Sequence, residues 1–141
     1  RRPSETNCVE YVFVNDTTFD VHKLMGRLIE EREYQTVNGI YRYGTPYFIH
    51  EYCSDYVGIA DIDGLIKIIK AYPNEKIKVY YVKANEQVRG KRAIERGDNM
   101  AEWNRRLIAD RIDFSDEKKS ELNKVLKECG QKEFEVIIND K

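Results

Sequence analysis

Apolar residues recur along this chain with two periods, and the changes from one to the other divide it into segments. Tyr11-Val12-Phe13-Val14 is a short apolar run that follows the polar Arg1-Arg2-Pro3-Ser4-Glu5, and it predicts a strand entered from a loop. Phe19, Val21, Leu24 and Met25 keep helical spacing after Asn15 to Thr18, whose side chains suit a helix cap, and Gly26 marks the stop. Tyr34 to Val37 and Ile40 to Tyr43 flank Asn38-Gly39, a strong short hairpin signal. Pro46 is placed to open a further helix through Phe48, Ile49 and Tyr52.

Beyond Asp55 the pattern changes. Tyr56-Val57-Gly58-Ile59-Ala60 and Ile77 to Val82 are nearly continuous apolar runs, as in strands covered on both faces. Between them Leu65, Ile66, Ile68, Ile69 and Ala71 make a helical pattern ended by Pro73, so a right-handed parallel crossover is expected. A helical region begins at Asn85, breaks at Gly97, resumes near Met100 and restarts at Ser115-Asp116-Glu117-Lys118. A last strand is expected over Phe134 to Ile138. The first third therefore reads as a small mixed unit and the remainder as α/β.

Composition narrows this picture. With 141 residues, 41% apolar and 35% charged, the chain suits one folded domain with subdomains and not a disordered one. No apolar run approaches the roughly 20 residues that span a bilayer, and no signal-peptide pattern opens the chain. A cytoplasmic protein without a membrane partner is expected. Cys8, Cys53 and Cys129 are odd in number and far apart, which argues against a disulfide framework or a thiolate metal site. A net charge of −1 gives no general reason to expect nucleic acid as a partner.

Against that near-neutral balance, Arg89, Lys91, Arg92, Arg96, Arg105 and Arg106 crowd one helical hairpin. Arg89, Arg92 and Arg96 are spaced i, i+3, i+7 and share a helix face, where guanidinium forks can take phosphate oxygens in pairs. The plain alternative is a solvated helix neutralised by Glu86 and Glu95. Asp61 and Asp63 stand where an apolar run yields to a loop, the place where ligands meet open α/β sheets. Asp63 can equally cap the helix near Gly64, which leaves Asp61 as the functional candidate. Tyr43-Gly44-Thr45-Pro46 offers hydroxyls able to donate to a phosphate. His22 and His50 have no partner at metal-ligand or dyad spacing.

Taken in order, these segments resemble guanylate kinase, a nucleoside monophosphate kinase of the P-loop class. Arg2-Pro3-Ser4-Glu5 and Val9 to Val14 are similar to the family's Arg-Pro-Gly-Glu and Asp-Tyr-x-Phe-Val segments. Gly26-Arg27-Leu28-Ile29-Glu30 is similar to Gly-Glu-Phe-Leu-Glu, and Tyr43-Gly44-Thr45-Pro46 reproduces Tyr-Gly-Thr-Pro. Gly58-Ile59-Ala60-Asp61-Ile62-Asp63-Gly64 aligns with Leu-Asp-Ile-Asp-Val-Gln-Gly, with Ile59 in place of the first aspartate. Arg92, Arg96-Gly97 and Arg105-Arg106-Leu107 look like the lid, and Phe134 to Asp140 like the closing Val-Val-Asn-Asp strand. The chain contains no GxxxxGK[ST] run, and its Glu30-to-Tyr43 loop is about four residues longer than the family's usual pattern.

The resemblance implies an α/β fold with a P-loop NTPase-type parallel sheet, helices on both faces, a small mixed monophosphate-binding subdomain and a helical lid. Residues 1–53 would form that subdomain, 54–84 and 107–141 the core, and 85–106 the lid. It implies transfer of the γ-phosphoryl of ATP to GMP or dGMP with Mg²⁺, by a monomer or homodimer. Arg2, Tyr11 and Tyr43 would hold the acceptor phosphate, with Thr45 also at the substrate, Glu30 and Asp61 the guanine, Arg92, Arg96 and Arg106 the transferring group, and Asn139 the adenine side. It implies no metal-ligating side chain here. Two alternatives stay open: a guanylate-kinase-like module that binds phosphorylated peptides, and a kinase with another monophosphate acceptor. Lacking the phosphate loop, the 141 residues alone are expected to be inactive.

Overall fold

Side-chain caps set where the helices of this molecule start. In the computed structural model, which describes residues 6–8, 11–37, 39–47 and 56–141, α1 (Asp16–Leu24) is capped by Asn15, whose side chain accepts from the Thr18 amide. Helix α2 (Ile62–Ala71) is capped by Asp61, α3 (Glu86–Glu95) by Asn85, α4 (Met100–Asp113) by Asn99 and α5 (Asp116–Glu128) by Ser115. Each such oxygen satisfies an amide that the first helical turn cannot. The α1 stop at Gly26 and the α3 break at Gly97 are as expected, both glycines being left-handed at φ 63° and 73°.

The Asn38-Gly39 hairpin forms, and it is longer than expected. Strand β1 (Leu28–Thr36) pairs antiparallel with β2 (Gly39–Pro46), with Thr36 opposite Gly39 and Glu30 opposite Thr45. Pro46 is the last residue of β2. The helix expected through Phe48, Ile49 and Tyr52 lies outside the described residues. At Gly44 a β-carbon would come within 3.0 Å of the Leu28 Cδ1 and 3.3 Å of the Glu30 carbonyl oxygen, so the hairpin requires glycine's bareness there.

Two expected strands do not form, for one reason. Tyr11 to Val14 makes only an isolated bridge between Tyr11 and Asn7, and residues 56–60 carry no regular secondary structure. A strand is defined by its partner, and neither run has one among the described residues. Val57 and Ile59 are consequently almost fully exposed. The parallel pair is formed instead by β3 (Tyr80–Lys83) and β4 (Glu135–Ile138), in register Tyr80 to Glu135. The described architecture is thus mixed α/β, with five helices, one antiparallel pair and one parallel pair.

The core sits between α2 and α5. Ile62, Ile66 and Ile69 meet Leu122, Val125 and Leu126, and Leu65, Ile77, Val79, Phe114, Cys129 and Phe134 pack around them. This is the helical stripe expected from Leu65 to Ile69, turned so that Ile66 and Ile69 face inward. Ile69 and Leu126 are completely buried. Ile69→Ala or Leu126→Ala should each lower unfolding free energy by about 2–5 kcal/mol in urea titrations. The exposed Ile112→Ala should change it by less than about 0.5 kcal/mol.

Candidate functional site

Alternation along β1 puts Glu30, Arg32 and Tyr34 on one face of the hairpin, beside Thr45, Tyr43 and Tyr41 across the ladder. That face meets the start of α2. Glu30 accepts a hydrogen bond from the Thr45 hydroxyl at 2.7 Å. Its other oxygen and an oxygen of Asp61 both flank Gly64, each 3.4 Å from where a β-carbon would stand. Glu30, Thr45 and Asp61, three residues singled out from sequence, are therefore brought together. Tyr11 and Tyr43 also meet, with ring centroids 5.3 Å apart, and Tyr34 lies edge-on to Tyr43 at 5.8 Å. Arg2 lies outside the described residues.

Both oxygens of Asp61 are engaged. One of its oxygens accepts from the Gly64 amide at 2.8 Å as the cap of α2, and the other takes the Tyr34 hydroxyl at 3.2 Å and the Arg32 Nε at 2.9 Å. The cap is thus Asp61 and not Asp63. Asp63 instead accepts from Lys118 at 2.7 Å and Arg32 at 3.1 Å. The Lys118 hydrogen bond is the main influence holding the Asp63 carboxyl below its usual range, with burial opposing it. Arg32 completes its fork on Asp113 at 3.2 Å. Burial pushes the Tyr34 phenol up, so it remains a donor to Asp61.

A second cluster is built by two facing stripes. Arg89, Arg92 and Arg96 at the end of α3 face Trp103, Arg106 and Asp110 of α4, and the six line an open cavity of about 230 Å³. Both stripes are spaced i, i+3, i+7. The α4 stripe was missed in the sequence because only the cations of α3 were read for periodicity; the same spacing would have found Trp103 and Asp110. Arg89 lines the cavity, while Lys91 is largely exposed and 3.9 Å from Glu95.

The arginines are neutralised, though not by Glu86 and Glu95. Arg89 pairs with Asp110 at 2.9 Å, Arg96 with Asp98 at 2.6 Å and Arg106 with Glu102 at 2.9 Å. Glu86 serves Arg111. Arg92 reaches the end of β4, donating to the Asn139 carbonyl at 3.0 Å and to the Lys141 carbonyl, so the expected lid and adenine-side residues are in contact. Glu102 also accepts twice from Arg105, at 3.0 and 2.8 Å, and lies 3.5 Å from the Val37 amide at the hairpin turn. Among the described residues no group of three or more His, Cys, Asp or Glu side chains could hold a metal ion, and no helix is long and apolar enough to cross a membrane. Compared with known proteins, the chain matches no family model and no curated sequence.

The Arg105 hydrogen bonds, against the opposing effect of burial, hold the Glu102 carboxyl at about 2. A depressed carboxyl contributes stability that is whole above its unfolded value of 4.5 and fades as pH falls from there toward about 2. Wild type should therefore lose stability across that window in acid-titrated thermal melts. Glu102→Gln should be less stable at neutral pH by on the order of 2 kcal/mol and should lose correspondingly less in acid. Gly90 tests the approach of the two helices: a β-carbon there would stand an ordinary 3.7 Å from the Trp103 Cζ2. Gly90→Ala should raise stability by about 0.5–1 kcal/mol, read from the same melts.

Proposed function

We propose that this chain carries the acceptor site, lid and part of the core of a nucleoside monophosphate kinase of guanylate kinase type, one that transfers the γ-phosphoryl of ATP to GMP or dGMP. The observation that carries the reading is the cavity: Arg92, Arg96 and Arg106, the three arginines that match the lid pattern, line it together. Phosphoryl transfer asks a protein mainly for positioning and for neutralisation of charge on the transferring oxygens, and guanidinium forks supply both.

On this reading Glu30 takes the guanine edge, whose ring N–H and amino group are adjacent donors matched to one carboxylate. Thr45 holds Glu30 in place, and Asp61, with both oxygens engaged, orients the hairpin rather than reading the base. Tyr11 and Tyr43 stand together at the acceptor phosphate, and Asn139 keeps Arg92 at the nucleotide side. Magnesium would add charge neutralisation at the donor phosphates. Asp61 and Asp63, held by Arg32 and Lys118, do not fit it as ligands, and the steps assigned here run through the arginines. The donor phosphates also need a glycine-rich loop and the parallel sheet behind it, which this reading assigns to a longer polypeptide.

One observation favours the alternative of a binding module for phosphorylated peptides: Arg96 and Arg106 already have carboxylate partners in Asp98 and Glu102. A coupled ADP-release assay with GMP, dGMP, AMP and UMP separates the two. The 141-residue chain should bind GMP without releasing ADP, and a polypeptide extended to include a GxxxxGK[ST] loop should turn over GMP and dGMP. Binding of GMP without turnover by the extended form would favour the module, and no binding in either form would defeat both. Arg96→Ala should lower kcat on the order of 100-fold while leaving GMP affinity nearly unchanged.

A further inference from the structure

Arg89 shares the helix face of Arg92 and Arg96 but matches none of the family's lid arginines, yet it lies in the same cavity under unusual constraint. Its side chain is two-thirds buried, less exposed than those of Arg96 and Arg106. Asp110 accepts from one terminal nitrogen at 2.9 Å, and the guanidinium carbon stands 5.9 Å from the centre of the Trp103 ring. The Arg89 Nε is buried and has no hydrogen-bond partner among the described residues. An unpaired buried donor costs about 1–3 kcal/mol and calls for a reason.

We propose that Arg89 is a phosphate ligand of the cavity, held ready by Asp110 and Trp103. Three features fit that role. Asp110 fixes one arm of the fork and leaves the rest of the guanidinium for a second acceptor, as bidentate recognition of phosphoryl oxygens requires. The Trp103 ring stands within cation–π range of the guanidinium and adds to the pull of Asp110 on it. Arg92, Arg96 and Arg106 share the cavity, so an entering phosphoryl group would meet Arg89 from the α3 face and Arg106 from the α4 face. The inference rests on reading the cavity as a phosphoryl site, but not on GMP as the acceptor or on turnover.

Trp103 is the chain's single tryptophan, so its emission reports events in this cavity and nowhere else. Sodium tripolyphosphate titrated into the 141-residue chain should change that emission saturably, with affinity measured in parallel by calorimetry. Arg89→Gln should weaken binding at least about 10-fold, in keeping with loss of a charge-assisted hydrogen bond. Arg111→Gln removes the same charge from an exposed position outside the cavity and should weaken it less than about 2-fold. Equal effects of the two substitutions, or calorimetric binding without any change in Trp103 emission, would overturn the proposal. Should Arg89→Gln fail to give a native circular dichroism spectrum, Arg89→Lys decides: a single ammonium cannot serve Asp110 and a phosphoryl oxygen as a fork does, and undiminished affinity would sink the idea. If Arg92→Gln weakens binding and Arg89→Gln does not, the inference fails and the kinase reading stands. Arg89-dependent binding in a protein that neither binds nor phosphorylates GMP leaves the inference standing and removes the kinase reading.

Discussion

One guanidinium joins the two halves of the described structure. Arg32, projecting from the hairpin, reaches Asp61 and Asp63 at the start of α2 and Asp113 at the end of α4, and Lys118 of α5 closes the network from the far side. Charges this sheltered are tolerable only when each has partners, and removal of the central cation would leave three carboxylates around one lysine. The apolar core between α2 and α5 holds those helices together but does not include the hairpin. The placement of Glu30 and Thr45 relative to Asp61 and Gly64 thus depends on an ionic junction, with its directional bonds, more than on hydrophobic contact.

What was legible in the sequence was local. The cap at Asn15, the helix starts at Asn85, near Met100 and at Ser115, the stops at Gly26 and Gly97 and the hairpin of β1 and β2 are each decided within a few residues. Tyr11 to Val14 and residues 56–60 have the composition of strands, yet a ladder needs a neighbour that composition cannot name. The cap of α2 was misplaced for a related reason: Asp61 and Asp63 both precede the apolar stripe, and only the helix phase set by Ile62, Ile66 and Ile69 makes Asp61 the residue outside it.

The site was legible to a similar depth. The arginine stripe of α3 showed itself by spacing, and Glu30, Thr45 and Asp61 were found without knowledge of their contact. Their partners were hidden because they are contributed by other elements: Asp98 follows the helix break, and Glu102 and Asp110 sit on α4. Trp103 repeats on α4 the spacing of the α3 arginines, and it stands beside a cation outside the core between α2 and α5.

Glu102 deserves a last consideration as a shared resource. This one carboxylate serves Arg105 and Arg106 and lies against the amide of Val37 at the hairpin turn. Two neighbouring arginines of α4 and the hairpin turn therefore depend on a single side chain. In evolutionary terms the position is constrained by its connections as well as by its burial: glutamine keeps the shape but strands two cations, and aspartate keeps the charge but shortens the reach. Drift should be slow at residue 102 and free at Ile108 or Ile112 on the exposed side of the same helix.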